Sequence, residues 1–361
     1  MPFPGLGSWR DATAKRASIS GSVLLWTVSL SVLLLLVAGC TRHQDPQIAF
    51  DGPTMGTYYS VKIARPPEGM TAESLQPGVA EVLDAVVAEI STYDDSSELS
   101  RLNQNPSTDW IPISANLHRV IAEGQRISSL TDGAFDITIG PLVNLWGFGP
   151  ETRPARLPTE AEIADAKARV GWHKLELRAD PPALRKARGD IYIDLSALGE
   201  GYGADRVGNW LESQGIENYM VAVAGAIRTR GINAKGEPWA IAIEEPLPDR
   251  RSVHRIIPVS NRALSTSGDY RNFFEENGKR YSHEIDPMTG APVDKRLGSV
   301  TVVDETAMVA DGWATALMVL GDRRGPEVAE SQGLVAYFIV RDQQDQPRGF
   351  GSKSFESLLG R

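Results

Sequence analysis

Asp311 and Thr315 are a carboxylate and a hydroxyl four residues apart in the apolar run Met308 to Leu320. At that spacing a helix points both the same way, and two hard oxygen donors on one face suit a cation such as Mg2+. The same pair also suits an ordinary helix start, with an Asp in the first turn and a Thr bonding back to the backbone. His283 stands between Ser282 and Glu284, just before Asp286-Pro287. An imidazole titrates near working pH, so His283 can act as a general base; a lone histidine can equally be structural. The chain has five histidines and no HxxxH or HxH pair, which argues against a transition-metal site. Gly199, Gly201 and Gly203 read as a turn between a strand and a helix, where free N–H groups can face phosphate, or simply as a turn.

These residues fall in four segments denser in glycine and polar groups than packing needs: 51–59, 133–149, 193–205, and a last one assembled from 263–270, 281–290 and 310–315. The intervening sequence must supply the elements that hold them. Leu75, Val79, Val82, Leu83, Val86, Val87 and Ile90 give helical spacing over Ala72 to Ile90, and Leu117, Val120, Ile121, Ile127 and Leu130 give a second helix. Thr159 with Glu162 is a capping-box pattern that opens a third. Val207, Trp210 and Leu211 mark a fourth, and Met308 to Leu320 a fifth. Strands are expected at Ile191–Leu195, Tyr219–Val223, Trp239–Ile243, His254–Val259, Ser299–Val303 and Leu334–Val340. Arg153 to Pro158 and Pro181 to Gly189 read as surface loops, and the stretch after Asp342 as a loose polar tail. Helices and strands are interspersed without regular alternation, so the fold class expected is α+β: a single globular domain of mixed sheets with packed helices.

The amino terminus reads as an address. Arg10, Lys15 and Arg16 precede a strongly apolar run from Val23 to Ala38, the pattern of an export signal. The run ends Val37-Ala38-Gly39-Cys40, and Cys40 is the only cysteine. This resembles a lipobox, in which the cysteine carries the lipid anchor; an uncleaved membrane span is the other reading. The divisions expected are a lipoprotein signal peptide at 1–39, a lipid-anchored linker at 40–50, a catalytic domain at 51–355 and a tail at 356–361. Both readings place the domain outside the cytoplasm, facing the periplasm at the inner or outer membrane. One cysteine excludes an internal disulfide framework. A net charge of −9 argues against a general nucleic-acid binder.

Taken together, the glycine-rich segments resemble the ApbE family of FAD:protein FMN transferases. The segments that carry the likeness occur in the family's order. They are Met55-Gly-Thr-Tyr58, Phe135-Asp136 through Gly140-Pro-Leu-Val-Asn-Leu-Trp-Gly147, and Asp194-Leu-Ser-Ala197 with Gly201-Tyr-Gly203. Leu264-Ser-Thr-Ser-Gly-Asp-Tyr270, His283 with Asp286-Pro287 and Thr289-Gly290, and Ala310-Asp311 with Ala314-Thr315 complete it. The resemblance implies an enzyme that uses FAD as substrate with Mg2+. It would move the FMN half to a Thr or Ser hydroxyl of an acceptor protein, such as a subunit of a membrane redox complex, and release AMP. It places metal ligation on the backbone oxygen of Ala197 and the side chains of Asp311 and Thr315. Flavin contacts fall on Met55, Tyr93, Ala134, Phe135, Asp136 and Asp194, and the base is His283.

Three positions depart from the family pattern. Glu200 stands where a lysine is usual in the FAD site, and an anion there should oppose phosphate. Ala224-Gly225-Ala226 replaces a Gly-Gly-Asp/Asn stretch, and Glu284 a more usual hydrophobic residue. Arg206, Arg228 or Arg262 are candidates to compensate, and a lysine restored at 200 is expected to raise activity or FAD affinity. The departures keep two alternatives open: a non-catalytic flavin-binding or maturation lipoprotein, and an FAD pyrophosphatase.

Overall fold

Eight strands pair in strict chain order into one antiparallel sheet: β1 (Gln47–Thr54), β2 (Thr57–Ala64), β3 (Tyr219–Val223), β4 (Ala226–Arg230), β5 (Ala263–Gly268), β6 (Leu297–Asp304), β7 (Val335–Arg341) and β8 (Pro347–Gly351). The computed structural model describes residues 46–360 except 152, 153, 155, 294, 295 and 345. The expected signal peptide and Cys40 lie outside the described residues. Among those described, no helix is long and apolar enough to cross a membrane.

The period of two along the strands sends alternate side chains to opposite layers. Val300 and Val302 join the large core beneath the helices, while Val303 joins a second core on the other face; Phe338 and Ile339 divide the same way. The helical layer is α1 (Ala72–Ile90), α2 (Ala115–Leu130), α3 (Glu160–Arg169), α4 (Ser196–Ser213) and α5 (Ala307–Ser331). The other face carries a two-stranded ribbon, Trp239–Glu244 with Val253–Val259, and the short helix Lys353–Leu358.

Local chemistry sets the helix ends. Thr71 and Ser74 cap α1 reciprocally, and Thr159 and Glu162 form the expected capping box on α3. The helix expected over Met308–Leu320 runs from Ala307 and breaks after Leu320, where Gly321 adopts φ 78° before the helix resumes to Ser331. Asp205 of α4 ties α5 down: its two oxygens accept from the backbone N–H groups of Ala307 (2.9 Å) and Met308 (3.0 Å). Arg228 donates to Asp205 in turn.

Several sequence expectations are corrected. Ile191–Leu195 is extended and apolar but joins no sheet. Its backbone bonds go to the Asn103 side chain and to Ile137 O, so its alternation reports burial alone. Pro181 to Gly189 is not a loop: Pro182–Lys186 is a central strand between Ile111–Pro112 and Leu175–Ala179. There the Lys186 ammonium is buried against the carbonyls of Leu102, Asn105 and Gly189. The stretch after Asp342 is ordered as β8 and the terminal helix, anchored by the fully buried Phe355. The linker expected to end at residue 50 overlaps β1, which starts at Gln47. The tail expected from 356 overlaps the terminal helix. The glycines at 199, 201 and 203 lie inside α4, not in a turn before it.

Candidate active site

Two hairpin tips and two helices converge at one end of the sheet. Because Tyr59 of β2 pairs with Val223 of β3, the β1–β2 tip at Met55-Gly56 lies beside the β3–β4 tip at Ala224-Gly225. Met55 (φ 47°) and Gly56 (φ 72°) both take left-handed conformations, the geometry of a tight two-residue hairpin turn. Ala224 (φ 51°) does likewise on its own hairpin.

The tips border a cavity of about 1180 Å³, somewhat above the range of about 300–1,000 Å³ of ordinary ligand sites. Met55, Tyr93, Ala134, Phe135, Asp136, Asp194, Ala197, Glu200, His283, Asp311 and Thr315 all line it, although they span 260 positions of sequence. Phe135 is buried in the wall, whereas Tyr93 stands mostly exposed at the mouth with its hydroxyl on Phe148 O (3.1 Å). Asp136 is the hub of its loop. One oxygen accepts from Thr138 N (2.8 Å) and Thr138 Oγ1 (2.6 Å), the other from Trp172 N (2.9 Å). Asp194 accepts from Ser196 N (2.9 Å) at the start of α4.

Asp311 is buried where α4 and α5 cross. Ser265 Oγ donates to one of its oxygens (2.8 Å) and Gly201 N–H to the other (3.0 Å). In a regular helix Gly201 N–H would aim at the Ala197 carbonyl four residues back. It donates to Asp311 instead, and Ala197 itself lines the cavity. One turn along α5, Thr315 Oγ1 meets Ser267 Oγ at 3.1 Å. The two serines share one side of β5, at i and i+2, and repeat the pitch of Asp311 and Thr315. Sequence reasoning gave them no role, although that alternation is visible in Ser265-Thr-Ser267. A carboxylate, a hydroxyl and a carbonyl form an all-oxygen set, which fits Mg2+ and not a softer metal. No group of three or more His, Cys, Asp or Glu side chains suited to a metal occurs among the described residues.

His283 follows a hairpin, Phe273–Glu276 with Lys279–Ser282, that stands apart from the main sheet. Its backbone N and its Nδ1 both lie 3.1 Å from Asn272 O. A carbonyl only accepts, so Nδ1 is the donor in this contact, and in the neutral ring Nε2 would carry the lone pair. Phe148, Phe274, Tyr281 and Trp146 stack in series at centroid spacings of 5.2–5.6 Å, and Phe148 meets the His283 ring edge-on. The stack packs the hairpin against the segment Trp146–Phe148, and the Trp146 Nε1 bond to Gly290 O (2.8 Å) ties the turn after His283 to the same segment.

The departures take on physical form. Glu200 is a half-buried carboxyl whose Oε2 accepts from Gly225 N–H (3.0 Å), pinning the β3–β4 tip to α4. Burial raises its pKa, partly offset by Gly225 and by the nearby His283. Burial, and then the charge of Glu200, hold Asp311 well above the usual carboxylate range. Glu284 is buried, and its carboxyl oxygen lies 3.7 Å from His283 Nε2. Ala226 does not line the cavity; it is buried in the core with Tyr59 and Val223. The arginines expected to compensate are engaged elsewhere or absent from the cavity wall. Arg206 binds Glu89, Arg228 binds Asp205 and Glu212, and Arg262 does not line it. Arg251 and Arg271 do, and no motif marked them.

Comparison with known proteins agrees with this geometry. The ApbE family model matches residues 55–339. The FAD:protein FMN transferase of Vibrio cholerae is 46% identical over 336 residues, covering 93% of this chain and 99% of that protein. The FAD:protein FMN transferase of Escherichia coli K12 is 39% identical over 341 residues, covering 92% and 97%. Among solved structures, the flavin transferase ApbE from Vibrio cholerae superposes with a TM-score of 0.80 at 44% identity, covering 86% of this chain and 99% of that one. The apo flavinyl transferase ApbE of Pseudomonas stutzeri gives 0.80 at 39% identity, covering 88% and 98%. The motifs, the architecture and the full-length similarity agree: this chain belongs to the ApbE family.

Proposed function

We propose that the protein transfers the FMN half of FAD to a Thr or Ser hydroxyl of an acceptor protein and releases AMP. The observation that carries the reading is the convergence, in one cavity, of the His283 imidazole with the Asp311–Thr315 oxygen pair. The acceptor oxygen bonds to the FMN phosphorus as the bond to the AMP phosphate oxygen breaks. AMP departs with the electron pair, and His283 Nε2 takes the hydroxyl proton. An alcohol is a weak nucleophile while protonated, so that base is needed at the moment of attack. Met55, Ala134 and Phe135 supply the apolar wall for the ring system, and Asp136 and Asp194 are polar groups beside it. Asp311, Thr315 and the Ala197 carbonyl would hold Mg2+, which neutralises charge on the pyrophosphate when bound.

The same reading makes the chain an exported lipoprotein, anchored through Cys40 and acting at the periplasmic face of a membrane. Its acceptor would be a subunit of a membrane redox complex.

The test is to incubate the protein with FAD, Mg2+ and a protein carrying a candidate acceptor threonine, then look for flavin fluorescence on a denaturing gel and measure AMP. A fluorescent acceptor band that EDTA abolishes is expected. Asp311→Ala is expected to lose turnover by about a thousandfold or more; an active Asp311→Ala variant removes the metal assignment. AMP without any band would replace transfer by FAD hydrolysis.

A further inference from the structure

The cavity is acidic, yet two arginines line it. Seven carboxylates border it, among them Glu200, Glu284 and Asp311, and the only Arg or Lys side chains there among the described residues are Arg251 and Arg271. They arrive from different segments. Arg251 lies in the link between the two ribbon strands, and Arg271 three residues beyond the end of β5. Glu244, at the end of the first ribbon strand, brings them together: one oxygen lies 3.8 Å from Arg251 and the other pairs with Arg271. One carboxylate shared by two guanidiniums leaves a net positive charge and unused N–H donors at a fixed place. Tyr270 supports Arg271 by lying under its guanidinium, 5.2 Å from the ring centroid.

Their position relative to Asp311 and Thr315 gives this charge a use. Ser267 holds Thr315, and Arg271 follows Ser267 by four residues, at most about 14 Å of chain. Phe135 belongs to the core on the helical face of the sheet, whereas the ribbon packs on the opposite face. Asp311 and Thr315 stand on α5, on the same face as Phe135, where Ser265 and Ser267 of β5 hold them. With the flavin against Phe135 and the pyrophosphate at the oxygen pair, the rest of the ligand meets a cavity wall whose only Arg or Lys side chains among the described residues are these two.

We propose that Arg251 and Arg271, bridged by Glu244, bind the phosphate of the departing AMP. The inference rests on the flavin-transfer reading above. When the pyrophosphate bond breaks, the electron pair stays on the AMP phosphate oxygen, which gains a full charge. Two guanidiniums present fork-shaped donors suited to that group. They replace, from another part of the chain, the cation that position 200 lacks.

The test is calorimetric titration of the full-length protein in detergent, with Mg2+, using AMP and FMN as separate probes. Arg251→Ala with Arg271→Ala is expected to weaken AMP binding about tenfold, a modest figure because both side chains are half exposed or more. FMN binding is expected to stay unchanged, which also reports that the variant is folded. Unchanged AMP affinity, equal losses for both probes, or no AMP binding by the unsubstituted protein would overturn the assignment. Flavin transfer by the unsubstituted protein is scored separately. Transfer with an unmoved AMP affinity sinks the arginine site alone, and failure to transfer or hydrolyse FAD sinks the functional reading.

Discussion

Glu200 shows how a single residue can be legible as unusual and still be misread. From sequence it is a misplaced anion, and a lysine in its place should help. The structure gives its carboxyl a partner, Gly225 N–H, and a neighbour, Asp311, whose ionisation it opposes. A lysine would leave Gly225 N–H without its acceptor and set an ammonium against the carboxylate that should hold the metal. Glu200→Lys is therefore expected to lower turnover and weaken Mg2+ dependence, whereas Glu200→Gln, whose amide oxygen can still accept, should retain activity; comparing Mg2+ titrations of the two variants decides. His283→Ala is expected to cost 10²–10⁴ in turnover, on the order of a lost general base, while FAD binding stays within about twofold. A matching loss of FAD affinity would make His283 a binding group instead. The candidate positions were legible because their types and order survive in the sequence. Ser265, Ser267, Arg251 and Arg271 were not, since their roles depend on which strand faces which helix.

Among the elements, the contact between α4 and α5 controls the site. Gly201 has no side chain because there is no room for one: a Cβ there would lie 2.2 Å from Ala307 O and 2.4 Å from its carbonyl carbon. The obstacle is backbone, so it cannot swing aside as a side chain would. Gly201→Ala is expected to cost about 1–3 kcal/mol of stability. It should also lower turnover by displacing Asp311 relative to Ser265; chemical denaturation alongside the gel assay measures both, and a fully active, fully stable variant would refute this contact. α1 and α2 were readable because each buries a stripe with helical period, whereas α3, which buries Ala166 alone, was readable from its capping box. Ile191–Leu195 and Pro182–Lys186 were read the wrong way round, the first as a strand and the second as a loop. Alternation marks burial whether or not a ladder forms. Conversely, a strand carrying Pro, Arg and Lys looks like a loop until its lysine is seen capped by three carbonyls.

For the whole molecule, burial of acidic groups sets the response to pH. Asp136, Asp205, Glu284 and Asp304 are all raised above their ordinary values, chiefly by burial. The folded state then holds protons that the unfolded chain has released, so stability falls as pH rises through the interval above the ordinary values of 3.8 and 4.5. Surface carboxylates with lowered values, such as Asp94 and Asp190, act oppositely and only at lower pH. Thermal unfolding of the ligand-free protein is expected to show a midpoint that falls as pH rises above the ordinary carboxylate values. A midpoint that rises steadily over that range would contradict it. The sheet, paired in chain order, has a different consequence. The cavity wall begins at Met55 and ends with Val319, so no amino-terminal fragment that stops short of α5 contains the Asp311–Thr315 pair. A chain still leaving the ribosome lacks the oxygen pair until α5 has been made, and truncation or proteolysis before that helix is expected to abolish turnover outright and not merely to weaken it.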